Sequence, residues 1–192
     1  KWAIVPRMLR DSSTRTLKTT LFSDRVLNSP IILAPIGVQG IFHPDAEESV
    51  ARAARKLGIP FVLSTAATRT IEEAAAANGD GQRWYQLYWP KSDEVTLSLL
   101  ARAKAAGYSA LVVTLDTTVI GWRPHDLNKS YLPFIHGVGC QVGLSDPVFM
   151  KRIGREPITK SEVPFPYYSQ KMDLAFVQGD EKVKEAVHLG VE

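Results

Sequence analysis

Residues 60–88 read PFVLSTAATRTIEEAAAANGDGQRWYQLY, and the order of patterns in this stretch decides the fold. Pro60-Phe61-Val62-Leu63-Ser64 is a short, almost wholly apolar run, as a strand buried on both faces requires. Thr70 then opens a helix as its N-cap, with Glu73 three residues on to complete a capping box and four alanines behind it. Gln82 to Tyr88 returns to strand. A buried strand, a capped helix and a second buried strand form a βαβ unit, whose strands run parallel.

The same unit repeats on both sides. Upstream, Pro30-Ile31-Ile32-Leu33-Ala34-Pro35 is a first buried strand, and Pro44-Asp45-Ala46-Glu47-Glu48 opens a helix through Leu57. Its first turn is acidic, which favours the helix dipole, and Gly58 stands just past its end. Downstream, Ser92 to Ala106 carries Val95, Leu99, Leu100 and Ala103 at helical spacing before Gly107. Tyr108 to Asp116, with Leu111-Val112-Val113-Thr114-Leu115 inside it, is a fourth strand. Four repeats of this kind leave two architectures, an open doubly wound sheet and a closed (β/α)8 TIM barrel. Each strand gains its polar side chains at its C-terminal end (Ser64; Gln86 and Tyr88; Thr114 and Asp116), the rim on which barrel active sites are built. No Gly-x-Gly-x-x-Gly segment or Walker loop follows the first strand, which weighs against the open sheet.

Outside the repeats, Leu17 to Leu27 alternates apolar and polar residues around Ser23-Asp24 and predicts a β-hairpin. From Asn128 to about Gln170 the rhythm breaks into a stretch rich in Pro, Gly and aromatics, expected as a lid or mobile insertion over the rim, before a polar helix from Asp180 to Leu189. The expected organisation is one partial barrel domain over 1–192: an N-terminal segment with the hairpin (1–28), strands one to four (29–127), and the lid with its helix (128–192).

Composition narrows the function. With 192 residues, 45% hydrophobic and 22% charged, the chain suits a globular core. A net charge of +3, with Lys and Arg spread among Asp and Glu, lacks the basic stripe that nucleic acid requires. No apolar run of membrane-spanning length is present, Lys1 to Arg10 lack the apolar core of a secretion signal, and the single Cys140 excludes an internal disulfide framework or a cysteine zinc cluster. The expectation is a protein that is not secreted and binds neither membrane nor nucleic acid. Cytoplasm, peroxisome or mitochondrion would all suit it.

The strand ends carry Ala34-Pro35-Ile36-Gly37-Val38-Gln39 with His43-Pro44, then Leu63-Ser64-Thr65-Ala66-Ala67, Tyr85-Gln86-Leu87-Tyr88, and Val113-Thr114-Leu115-Asp116-Thr117 with Gly121-Trp122-Arg123. In this order and spacing, over roughly residues 4 to 128, they resemble the FMN-dependent 2-hydroxy-acid oxidases and dehydrogenases. Trp122 to Leu127, Tyr131-Leu132-Pro133 and Ser145 to Phe149 resemble the lactate 2-monooxygenase branch. So does Gly37, where most of the family has alanine and where a missing methyl would leave room beside the reactive flavin nitrogen.

The resemblance implies FMN as cofactor, a small 2-hydroxy acid such as L-lactate and O2 as substrates, and a homo-oligomer. It implies that the catalytic base, a flavin-side lysine and the phosphate loops lie outside residues 1–192, so that this stretch alone would be inactive. By the same resemblance Pro35, Ile36 and Gly37 would bring backbone against the flavin, and Ser64, Gln86 and Thr114 would hydrogen-bond its pyrimidine edge. Tyr88 would hold the substrate, Arg123 would grip its carboxylate through two parallel hydrogen bonds, and Asp116 would pair with the catalytic histidine. Each has a plainer alternative. Pro35 to Gly37 is then an ordinary turn, and Gln86 and Thr114 are polar residues satisfied inside the barrel, or Ser64 and Thr114 cap local turns. Tyr88 is then a rim aromatic, Asp116 a turn cap, and Arg123 pairs with Asp126 at the surface. A flavin-independent barrel lyase or isomerase and a non-catalytic half-barrel are the competing classes. His43 and His125 are expected to be structural, and Cys140 inert.

Overall fold

The computed structural model describes residues 2–22, 25–117, 119, 121–129 and 132–161. The chain divides into two compact units, Lys1–Ile31 and Ile32–Glu192. In the first, β1 (Thr19–Leu21) pairs antiparallel with β2 (Arg25–Leu27), with Thr20 opposite Val26. The expected hairpin is therefore present, its turn residues lying outside the described ones.

The second unit is α/β. Its elements run α1 (Ala46–Leu57), β3 (Phe61–Leu63), α2 (Ile71–Asn78), β4 (Arg83–Tyr88), α3 (Asp93–Ala105) and β5 (Leu111–Thr114), followed by the short helices α4 (Pro124–Lys129), α5 (Gln141–Leu144) and α6 (Pro147–Arg152). Strands β3, β4 and β5 form a parallel sheet in sequential order, and Leu33 adds a parallel bridge to Phe61 on the other side of β3. Each strand joins beside its predecessor, the order that a barrel wall requires.

Local chemistry sets the boundaries. Thr70 accepts from the Glu73 N–H at 3.0 Å while Glu73 accepts from the Thr70 N–H at 2.9 Å, the expected capping box. Ser92 caps α3. Gly58 closes α1 with φ 63°, a conformation that favours glycine.

Strand register divides the side chains between two faces. Phe61 and Leu63 of β3, with Tyr85 and Leu87 of β4, belong to the core cluster together with Ala51 and Ala54 of α1, Ile71 and Ala74 of α2, and Val95, Leu99 and Ala103 of α3. Burying each large side chain here contributes about 1.5–3 kcal/mol. The alternate residues share the opposite face: Val62 pairs with Trp84, Gln86 with Val112, and Tyr88 with Thr114.

Two expectations are corrected. The first strand, read as Pro30 to Pro35, is reduced to the Leu33 bridge: Leu33 donates to the Pro60 carbonyl at 3.0 Å and accepts from Val62 at 3.2 Å. Pro30 and Pro35 bracket it and have no N–H to donate, and Ile31 is exposed. The stretch from Asn128, read as a lid, is between 138 and 153 a packed part of the body. Val142, Phe149, Met150 and Ile153 join the core cluster, and Val138 is fully buried. Arg102 of α3 holds this piece through Asp146 (3.3 Å), Ser145 (2.8 Å) and the Val142 carbonyl (3.2 Å). The helix expected over Asp180 to Leu189 lies outside the described residues.

Candidate functional site

At the C-terminal ends of β3, β4 and β5 three polar side chains form one hydrogen-bonded row. Ser64 Oγ donates to Gln86 Oε1 at 3.1 Å, the Thr65 N–H donates to the same oxygen at 3.1 Å, and Gln86 Nε2 donates to Thr114 Oγ1 at 2.9 Å. Two donors on Oε1 fix which way the Gln86 amide faces. Ser64 and Gln86 are buried and Thr114 half-buried. Ser64 Oγ also accepts from Ala66 N–H at 3.1 Å, so the local cap and the strand-to-strand bond coexist.

Thr65 completes the arrangement where the β3–β4 ladder stops. Its Oγ1 donates to the Gln86 carbonyl at 2.5 Å and accepts from the Tyr88 N–H at 3.2 Å, fixing the backbone on both sides of Leu87. It also lies 3.3 Å from the hydroxyl of Tyr85, a core phenol whose ionisation burial pushes up to about 12.

The loop from Pro35 to Gly40 lies against the loop after β3. Val38 donates to the Ala66 carbonyl at 2.8 Å, and a methyl on Gly37 would stand 3.0 Å from both the Ala66 oxygen and Cβ. The missing methyl at position 37 thus admits Ala66.

Tyr88 lies two residues beyond Gln86 on the same strand face and level with Thr114, half-buried. Asp116 and Arg123 are exposed, and the guanidinium of Arg123 lies 4.0 Å from Asp126. The structure brings Ser64, Gln86, Thr114 and Tyr88 to one place and joins Pro35 to Gly37 to the neighbouring loop. It does not bring Asp116 or Arg123 into contact with them. His43 Nδ1 accepts from Asp45 N–H at 3.1 Å, a local turn bond. Cys140 keeps part of its surface open, but its thiol sits among neighbours that exclude water and is pushed up to about 12, as an inert cysteine should be. Among the described residues no group of three or more His, Cys, Asp or Glu could hold a metal, and no helix is long and apolar enough to cross a membrane.

Glu47, Gln39, Thr65 and Thr68 escaped the sequence reading. Glu47 was legible only as a first-turn acid, yet it falls at i, i+4 and i+7 with Ala51 and Ala54, and that stripe is the one α1 buries.

The donor set suits a flat heteroaromatic edge bearing carbonyls and an N–H. Among the described residues Gln86 keeps one N–H and Thr114 its hydroxyl proton for a ligand, and the oxygens of Thr114 and Ser64 can accept. Comparison with known proteins agrees with that chemistry. Residues 1–174 match the FMN-dependent dehydrogenase family. An FMN-dependent alpha-hydroxy acid dehydrogenase of Penicillium citrinum is 49% identical over 149 residues, covering 78% of this chain and 37% of the relative. An L-lactate oxidase of Lysinibacillus sphaericus is 37% identical over 150 residues, covering 78% and 39%. Among solved structures, mandelate oxidase with (S)-2-phenylpropionate superposes with a TM-score of 0.61 at 38% identity, over 67% of this chain and 38% of that one. The chain belongs to the FMN-dependent dehydrogenase family, and FMN is the cofactor that this membership brings. It spans 37% to 39% of the length of these relatives.

Proposed function

We propose that the complete protein oxidises a small 2-hydroxy acid, such as L-lactate, to its 2-oxo acid at the mouth of a (β/α)8 barrel whose first four βα units lie in this chain. The Ser64–Gln86–Thr114 row carries the proposal: three consecutive parallel strands deliver a fixed pattern of donors and acceptors to one rim. Those three residues would hold the pyrimidine edge of FMN, and the backbone of Pro35, Ile36 and Gly37 would face its reactive side. When bound, FMN would supply the two-electron acceptor for the hydride that leaves C2, with O2 as the final oxidant.

The chain's own residues bind and orient. The Tyr88 phenol, beside Thr114, holds the substrate's hydroxyl or carboxylate. Arg123, the first guanidinium after β5, pairs with the carboxylate through two N–H donors, and Asp116 steadies the charged form of the histidine base. Arg123 and Asp116 enter this reading through the family pattern. The row and Tyr88 enter it through geometry. Whether the 2-oxo product leaves or is decarboxylated before release separates oxidase from monooxygenase chemistry.

The test is anaerobic mixing of the FMN-loaded complete protein with L-lactate, glycolate or mandelate, followed by air and product analysis. The proposal expects one of these acids to bleach the flavin and air to restore it. It expects Arg123→Leu to raise KM far more than Arg123→Lys. A flavin that none of the three acids reduces would defeat it.

A further inference from the structure

Beneath the rim lies a fully buried carboxylate that the reaction does not use. Glu47, in the first turn of α1, makes no bond to its own helix end. It spans two loops instead, accepting at one oxygen from Gln39 N–H (3.2 Å) and Thr68 N–H (2.9 Å) and at the other from Thr68 Oγ1 (2.7 Å). The Thr68 hydroxyl in turn accepts from Gly40 N–H at 2.9 Å. A methyl on Gly40 would meet Thr68 Oγ1 at 3.0 Å, so the two loops touch through the absence of that side chain. Gln39, itself buried, carries the linkage onward: its Nε2 donates to the Ile36 carbonyl at 3.0 Å.

The segment so tethered is strained. Val38 holds φ 57° and ψ 32°, a left-handed conformation that a β-branched residue adopts only where its surroundings over-determine it. Its surroundings do so here: Val38 N–H is tied to the Ala66 carbonyl, Gln39 N–H to Glu47 and Gly40 N–H to Thr68, while the Gln39 side chain holds the Ile36 carbonyl. Burial alone would be served by leucine at 47, in line with Ala51 and Ala54. Leucine would not hold two backbone N–H groups from separate loops. Burying a carboxylate is costly unless its hydrogen bonds are made, so a carboxylate here defines the loop geometry more sharply than an apolar side chain would.

We propose that Glu47 and Gln39 are positioning residues that aim the backbone of Ile36 and Gly37 at the cofactor, and so set the flavin's affinity and redox balance. This rests on the flavin-site reading above, because the clamp's object is the loop assigned to the flavin's reactive side.

The experiment uses the complete protein, titrated with FMN by fluorescence quenching and poised electrochemically when loaded. Glu47→Gln and Thr68→Val are compared with Thr68→Ser, which keeps the hydroxyl. Asp146→Asn weakens the α6 cap and the Arg102 contact on the outer face and serves as a control for stability alone. Glu47→Gln and Thr68→Val are expected to weaken FMN binding about tenfold and to change the ratio of affinities for oxidised and reduced flavin by about tenfold, a shift of about 30 mV for a two-electron couple. Thr68→Ser is expected to stay within about twofold of wild type, and Asp146→Asn to lower the melting temperature while leaving affinity and potential in place. Wild-type binding and potential retained in both Glu47→Gln and Thr68→Val would overturn the positioning role while leaving the flavin site standing. A control that shifts the potential as much as they do would overturn it too. A wild-type protein that takes up no FMN would remove both. If Glu47→Gln does not fold, the Thr68 pair decides alone, equal behaviour of valine and serine counting against the clamp.

Discussion

Replacing Gln86 by leucine removes the centre of the row while keeping a side chain of similar length. Gln86 is 1% exposed and makes three hydrogen bonds through its side chain, from Ser64 and Thr65 and to Thr114. The hydroxyls of Ser64 and Thr114 can rotate toward other acceptors. The Thr65 N–H has no such freedom, and stranding it costs about 1–3 kcal/mol, with about 1 kcal/mol more for each remaining bond. The added apolar surface offsets part of this. The balance is a loss of about 2–4 kcal/mol in the complete protein, seen as a lower urea midpoint at unchanged slope. The substitution also deletes the amide donor assigned to a flavin carbonyl, so FMN affinity should fall at least about tenfold, the effect of about 1.4 kcal/mol. A Gln86→Leu protein with the wild-type urea midpoint would refute the hydrogen-bond accounting. One with the wild-type FMN affinity would refute the assignment of the amide.

Other changes probe the same framework. Gly37→Ala places a methyl 3.0 Å from the Ala66 oxygen and Cβ, where moving apart would stretch the 2.8 Å bond from Val38; the cost should be about 1–2 kcal/mol in thermal unfolding. Ala46 is buried and holds φ 45° at the start of α1, so in Ala46→Gly the relief of about 1–3 kcal/mol of backbone strain is set against about 1 kcal/mol each for the lost methyl and the poorer helix propensity; the net change should stay within about 1 kcal/mol, and a loss of about 2 kcal/mol or more would contradict the strain assignment. Burial opposes ionisation of Glu72, but the hydrogen bonds and charge of Arg102 prevail and hold its carboxyl below the ordinary 4.5. A depressed carboxyl contributes its stability above the ordinary value and loses it as pH falls through the folded one, so the unfolding midpoint should drop below about pH 4.5 and drop less in Glu72→Gln.

The helices were legible because their signals are local. Thr70 with Glu73, Ser92 and Gly58 act within one turn of their own positions, and each stands where its spacing said. The row was legible as well, since polar side chains ending apolar strands have only the rim to face. The first strand was misjudged because an apolar run reports what could be buried, while its ladder depends on neighbours: with β3 alone beside it, Leu33 makes the only bridge among the described residues. The segment after α4 hid its structure because four-residue and six-residue helices are too short to show a period, and its burial is decided by Arg102, some forty residues earlier. Glu47 was read by its charge when its helical phase held the information. Arg123 was picked out by chemistry, and its exposed position beside Asp126 shows that residue type and order alone do not set an orientation.

The central claim is that the ends of β3, β4 and β5 form one edge of a flavin site. A crystal structure of the complete protein with FMN bound tests it most directly. The account expects the isoalloxazine's polar edge within hydrogen-bond distance of Gln86 Nε2 and Thr114 Oγ1, with the backbone of residues 35–37 across its reactive side. A flavin bound elsewhere, with the Ser64–Gln86–Thr114 row closed on itself, would contradict it.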